Sequence, residues 1–202
     1  MLTSITPLGE RGRASRYGVT VVAYVLGSVV GGTALGVLAG GLGRALPVER
    51  PAMADAALTV VAVVAVLAAA VELGRLPQPA TWHRQVDEDW LHRYRGWVYG
   101  LGYGLQLGFG LVTIVTSPVL YVAVLLTVLT SSPVYGALVG ASFGLVRARP
   151  VLTLRRVQTS AQLAAAARRT ESLAPTARRL VTATLIGVAL TAGAVVVSGG
   201  TA

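Results

Sequence analysis

Between Trp97 and Val146 the chain runs for fifty consecutive residues without an aspartate, glutamate, lysine or arginine. About 20 predominantly apolar residues are enough for one helix to cross a bilayer, so this run predicts more than one crossing. The composition agrees, because 54% of the residues are hydrophobic, 12% are charged and the mean hydropathy is +0.69. The sequence predicts an all-α, polytopic helical membrane protein with one transmembrane domain, residues 1–202, surrounded by the lipid bilayer.

About five transmembrane helices are expected, at residues 17–43, 53–73, 97–130, 133–147 and 180–198. The third span should break near residues 117–118, because proline interrupts a helix, and the prolines at 118 and 133 mark two such breaks. We place the turn between the third and fourth spans at the second break. The alternative places the turn at the first break and a kink at the second, which leaves the number of crossings unchanged. The first span is longer than the roughly 7 to 15 apolar residues of a secretory signal, which favours a retained helix.

The arginines indicate the orientation of these spans. With a cytoplasmic N-terminus, fifteen of the seventeen basic residues fall in the N-terminal tail and in the cytoplasmic loops 74–96 and 147–179. This distribution predicts a multi-pass protein of the bacterial inner membrane with its C-terminus outside. Within the second loop, residues 160–169 are expected to form a helix on the membrane surface. Despite the net charge of +9, we expect no nucleic-acid binding, since the arginines flank apolar spans.

Glycines repeat at intervals of four residues in two of the spans, a spacing that permits close helix packing in a membrane. These packing glycines are Gly32, Gly36, Gly40, Gly136, Gly140 and Gly144. The two glycine runs are similar, and the predicted topology makes their helices antiparallel, which is typical of an inverted repeat. The glycines indicate either tight packing of helices within one chain or an interface along which helices can move. They are also the basis for expecting a homodimer or a membrane partner protein.

Polar residues at membrane depth are the candidates for a substrate-binding site, because they are costly in lipid unless they face a cavity or each other. The candidates are Gln106, Thr113, Thr116 and Ser117 on the third span, beside the backbone carbonyls that a break before Pro118 would free. The alternative is that the serine and threonine hydroxyls bond to their own helix.

The loop 74–96 holds the weak candidates for a metal site. On a helix, His83 and Asp87 lie four residues apart, as do Glu88 and His92, so each pair shares a face. The spacing matches no metal signature, and an interfacial belt of aromatic residues with neutralised arginines explains the segment better. We therefore expect no metal and no cofactor. No nucleophile has an adjacent base, so we expect no enzyme; a membrane enzyme would need turnover that depends on His83 or His92.

The helix order, the glycine-rich first and fourth spans and the proline break in the third resemble the cytochrome c biogenesis and thiol-disulfide interchange transmembrane family. The resemblance covers residues 17–198 and implies two inverted three-helix halves, with the five spans corresponding to the family's helices two to six and no counterpart of its first helix. Pro118 falls where the family has a proline followed by a redox cysteine, and here Val119 follows. The chain contains no cysteine at all. A thiol relay is therefore not implied for this chain.

These features predict a small-solute transporter or exporter. The alternative is a non-catalytic anchoring or assembly subunit of a larger complex, which would use the arginine-rich segment and the glycines to hold its partner.

Overall fold

The computed structural model describes residues 6, 7, 10, 16–46, 51–77, 94–110 and 118–199, and within these ranges all regular structure is helical. The helices are α1 (Tyr17–Ala45), α2 (Pro51–Glu72), α3 (Gly96–Phe109), α4 (Val119–Leu129), α5 (Pro133–Thr153) and α6 (Ser160–Gly199), with a 3₁₀ turn at Leu154–Arg156. The prediction of an all-α, polytopic helical membrane protein is confirmed.

Three helices in the described part of the chain are long and apolar enough to cross a membrane. They are Tyr17–Ala45, Met53–Glu72 and Ser160–Ser198, while Val119–Leu129 is apolar but shorter. The expected number of five crossings and the single domain stay predictions.

The described part of the third expected span forms two helices, α3 and α4. Helix α3 already ends at Phe109, because Gly110 adopts a left-handed conformation with φ +70° and its N–H donates to the Gln106 carbonyl at 3.3 Å. Helix α4 begins directly after Pro118, a position that needs no backbone N–H donor. Residues 111–117 lie outside the described ranges.

Helices α5 and α6 extend beyond the spans expected at residues 133–147 and 180–198. Helix α5 continues to Thr153, and α6 already begins at Ser160, so most of the expected loop 147–179 is helical. Hydropathy locates the end of an apolar stretch, whereas arginine and alanine continue a helix well in water. The expected surface helix at 160–169 is continuous with the last helix, which includes Pro175.

The chain forms two compact units, and α1, α5 and α6 each contribute to both. The first unit comprises Met1–Leu35, Trp82–Ile114 and Ala137–Leu173. Its buried core consists of Val21, Tyr24, Tyr99, Tyr103, Ala148 and Val151. The opposite face of α1 exposes Val22, Leu26 and Val30 by more than half, as a lipid-facing surface does.

The second unit comprises Gly36–Thr81, Val115–Gly136 and Ala174–Ala202. Side chains from α2, α4 and α6 form its buried core, namely Ala65, Ala68, Ala69, Val122 and Leu185. The segment between α4 and α5 also lies in this unit. There Ser131 has a φ of +48°, and its hydroxyl donates to the Gly43 carbonyl at 3.3 Å.

Candidate functional site

In the first unit, α1 and α3 pack in parallel and in very close contact. Gly100, Gly104 and Gly108 of α3 face the backbone carbonyls of α1 at every fourth residue, in the order Thr20, Tyr24 and Ser28. A Cβ added to any of these glycines would collide with backbone atoms, so only glycine allows this approach. The three glycines line up with the three carbonyl groups because residues four apart lie on one face of a helix.

Helix α5 packs against α1 in the antiparallel sense within each unit. In the first unit Gly144 faces Ser28, and Gly140 faces Gly32, so the residue numbers run in opposite directions. In the second unit Gly136 faces Gly36, and Ser132 faces Gly40, in the same antiparallel sense. The six glycines named as packing residues all take part in these contacts, which we call the glycine seam.

A buried carboxylate lies beside the start of α1. Glu10 is 1% exposed, and its Oε2 accepts a hydrogen bond from the Thr20 hydroxyl at 3.0 Å. Its Oε1 accepts a second, short hydrogen bond from the Tyr99 hydroxyl of α3. The Glu10 backbone N–H donates to the Thr6 carbonyl at 2.9 Å. We call Glu10, Thr20 and Tyr99 the carboxylate cluster.

Side chains of α1 and α5 add polar contacts in the same unit. The Tyr17 hydroxyl donates to the Val151 carbonyl at 2.9 Å, which ties the start of α1 to α5. The Arg147 guanidinium lies 5.5 Å from the centre of the Phe143 ring, within the range of a cation–π interaction. Tyr17 packs against the buried core of this unit, and Arg147 interacts electrostatically with Tyr24 of that core.

In the second unit, a polar contact joins the end of α2 to α6. The Arg178 Nε of α6 donates a short hydrogen bond to the backbone carbonyl of Glu72, at the end of α2. The guanidinium also lies close to Gly74, which has a φ of +72°. A cation at a helix C-terminus satisfies carbonyls that lack helical partners, so Arg178 caps α2.

Only one of the four predicted substrate-binding residues lies in the described part of the chain. Gln106 is half-buried on α3. Thr113, Thr116 and Ser117 lie outside the described residues, so their grouping into one site stays a prediction.

The weak metal candidates His83, Asp87, Glu88 and His92 also lie outside the described residues. Among the residues that the structure does describe, no group of three or more His, Cys, Asp or Glu side chains could hold a metal ion.

The sequence analysis missed the carboxylate cluster. Glu10 stands among arginines in the N-terminal tail, where a solvated carboxylate is the usual interpretation. One signal was present, because Thr20, Tyr24 and Ser28 repeat every four residues, as do Gly100, Gly104 and Gly108. Matched ridges of this kind predict contact between the two helices, although they do not predict which carboxylate joins them.

Comparison with known proteins finds a transmembrane family and two curated relatives. The model of the family described as "Cytochrome C biogenesis protein transmembrane region" matches residues 3–189. The Methylamine utilization protein MauF of Methylophilus methylotrophus is 30% identical over 153 residues, which is 74% of this chain and 53% of that protein. The protein of the same name from Paracoccus denitrificans is 34% identical over 133 residues, 65% of this chain and 47% of that protein.

The chain thus spans about half the length of the curated relatives it matches. No solved structure matches it.

Proposed function

Because this chain belongs to the cytochrome c biogenesis protein transmembrane region family, we propose that it is a small-solute transporter supporting protein maturation without thiol chemistry of its own. The antiparallel contact between the similar helices α1 and α5 carries the proposal, since paired helices of opposite direction are typical of transporters built from inverted repeats. The proposed location is the bacterial inner membrane with a cytoplasmic N-terminus, which the distribution of arginines supports.

The absence of cysteine narrows the way in which such a protein can support maturation. A chain without a thiol cannot pass electrons through a disulfide of its own, whereas a transported thiol would carry reducing equivalents across the membrane without one. A diffusible thiol is therefore the first class of solute to test. Methylammonium is the second, because the relatives are named for methylamine utilization.

Flux into proteoliposomes tests the proposal directly. Purified protein is reconstituted, and uptake of radiolabelled cysteine, glutathione and methylammonium is compared with uptake into empty liposomes. We expect one of these probes to enter faster with the protein than without it. Gln106→Ala should slow that uptake, whereas Gln158→Ala, at an exposed position between α5 and α6, should leave it unchanged. Equal uptake of all three probes with and without protein would contradict the proposal for these two solute classes.

A second candidate function is an anchoring or assembly subunit, and the first half of α6 favours it. From Ser160 to Leu173 most side chains are exposed, including Arg168 and Arg169. An exposed basic helix can recognise an acidic protein surface. If anchoring is the function, Arg168→Gln combined with Arg169→Gln should release one specific protein that co-purifies from native membranes, while solute uptake stays at the background of empty liposomes.

A further inference from the structure

We propose that one end of the first unit binds the headgroup of an anionic phospholipid of the surrounding bilayer. Four exposed arginines contact the phosphate, and exposed apolar side chains beside them contact the acyl chains. The arginines, which we call the arginine cluster, are Arg16, Arg95, Arg149 and Arg155. All four belong to the same compact unit. Lipid binding at this end goes beyond the proposed transport function and does not depend on it.

Three helices of the first unit have an end at this place. Helices α1 and α3 are parallel, and Gly100 faces the Thr20 carbonyl, so the two helices begin at about the same level. Helix α5 is antiparallel to α1, and its last turns reach the start of α1, where the Val151 carbonyl accepts a hydrogen bond from the Tyr17 hydroxyl at 2.9 Å. Side chains that are far apart in the sequence are therefore collected at one end of the unit.

The arginine cluster gives this end a strong positive charge. Two of its arginines directly precede α1 and α3, one lies in the last turns of α5, and one lies in the 3₁₀ turn that follows. The positive ends of the α1 and α3 dipoles also lie here, against the single negative end of α5. Among the described residues of this unit, the carboxylates are Glu10, which is buried, and Glu171, which is exposed on α6. A phosphate group would relieve the repulsion between the arginines.

Exposed aromatic and apolar side chains indicate the membrane depth of this end. Tyr94 and Trp97, at the start of α3, are 46% and 50% exposed, and such residues are enriched at the level of the lipid headgroups. Val19 on α1 and Val146 on α5 are also exposed. Each valine lies three residues from an arginine of the cluster, toward the middle of its helix and on the same face. A lipid whose chains lie along these faces has its phosphate beside the arginines.

This combination of charge and apolar surface fits a phospholipid better than an acidic protein. A guanidinium donates two parallel hydrogen bonds to a phosphate, a geometry that makes arginine well suited to phosphate recognition. An acidic protein segment could neutralise the arginines, but it would leave Trp97 and the exposed valines uncovered. Each basic residue near an anionic membrane surface strengthens binding about fivefold. Several arginines at one end therefore produce a marked preference for anionic over zwitterionic lipid.

Native mass spectrometry of the delipidated full-length protein tests the proposal. The probes are phosphatidylglycerol, which is anionic, and phosphatidylcholine with the same acyl chains, which is zwitterionic. We expect the wild type to bind phosphatidylglycerol at least tenfold more tightly. Arg16→Gln combined with Arg149→Gln should weaken this binding about 25-fold, about fivefold for each arginine, and leave phosphatidylcholine binding unchanged. Arg44→Gln combined with Arg75→Gln removes two exposed arginines of the second unit and should leave the binding of both lipids unchanged.

Two further measurements distinguish a lipid site from other causes of the same result. Arg16→Lys combined with Arg149→Lys keeps both charges and should bind phosphatidylglycerol within about threefold of the wild type. Glycerol phosphate carries a headgroup phosphate without acyl chains and should not displace the lipid at equal concentration. The proposal is wrong if the wild type binds both lipids equally, or if the two glutamine double variants lose the same affinity, because binding would then follow net charge alone. Displacement by glycerol phosphate would also overturn it, since the site would then bind a soluble anion.

Discussion

Two adjacent glycines of α1 allow the glycine seam to be tested with an internal control. Gly40 faces the backbone of Ser132 and Pro133, whereas a Cβ on Gly41 would have no neighbour within 4 Å. We predict that Gly40→Ala destabilises the protein relative to Gly41→Ala. Both substitutions remove a helical glycine, so their common gain in helix propensity, about 1 kcal/mol, cancels in the comparison.

The size of the difference follows from the geometry. A Cβ on Gly40 would lie 2.7 Å from the Ser132 carbonyl carbon and 3.1 Å from the Pro133 nitrogen, whereas ordinary contacts begin at 3.4 Å. The Ser132 carbonyl oxygen would lie closer still, so the opposing backbone would have to retreat by more than 0.7 Å, and backbone cannot rotate aside as a side chain does. Overpacking of this kind costs about 1–3 kcal/mol, a factor of about 5 to 140 in the unfolding equilibrium.

Reversible unfolding in mixed micelles, followed by circular dichroism, measures the difference. We expect Gly40→Ala to unfold at a lower mole fraction of denaturing detergent than the wild type. Gly41→Ala should unfold at the same mole fraction as the wild type or at a higher one. Equal transitions for the two variants would refute the reasoning, because the contact with Ser132 and Pro133 would then contribute nothing to stability.

Two further predictions concern the helix ends of the second unit and use the same unfolding measurement. Ser131→Gly should raise the free energy of unfolding by up to about 1 kcal/mol, since glycine adopts a positive φ without strain. Its neighbouring variant Ser132→Ala should lower the free energy of unfolding by about 0.5–1 kcal/mol, because it removes the side-chain acceptor for the Tyr135 N–H. A loss of stability in Ser131→Gly would show that its 3.3 Å bond to Gly43 outweighs the strain. Arg178→Gln should cost about 1 kcal/mol through loss of the hydrogen bond to the Glu72 carbonyl, and its exposed neighbour Arg179→Gln should cost less than half as much. Equal effects of the two arginine substitutions would argue against a cap on α2.

The membrane class and the family could be predicted from the sequence alone, because the patterns that indicate them have a strong physical cause. The helical membrane class follows from fifty residues without a charge, and the family resemblance follows from the order of glycine-rich and proline-broken spans. The glycine spacing anticipated that Gly32 and Gly140 belong to contact faces, because a four-residue repeat lies on one side of a helix.

The helix ends and the carboxylate cluster could not be predicted from the sequence. Helix α3 ends at Gly110 because that residue adopts a positive φ, yet the third span contains several other glycines with the same freedom. Helix α6 begins twenty residues before the expected span, since hydropathy does not report on helix formation in water. The burial of Glu10 depends on Tyr99, which is 89 residues away in the chain and belongs to a different helix. No local pattern encodes a contact at that distance.

The missing side chains along the glycine seam have a spectroscopic consequence. Where an added Cβ would collide with a carbonyl oxygen, as at Gly136 and Gly144, the hydrogen that takes its place points at that oxygen. Such Cα–H···O contacts between helices are weak hydrogen bonds. Deuterating glycine at Cα would make each contact visible in the infrared spectrum. The C–D stretching frequency would then distinguish glycines of the seam from exposed ones such as Gly187, which has no neighbour at the Cβ position. Helix separation in a working bilayer would then be visible at the atoms that touch, without a foreign label anywhere in the protein.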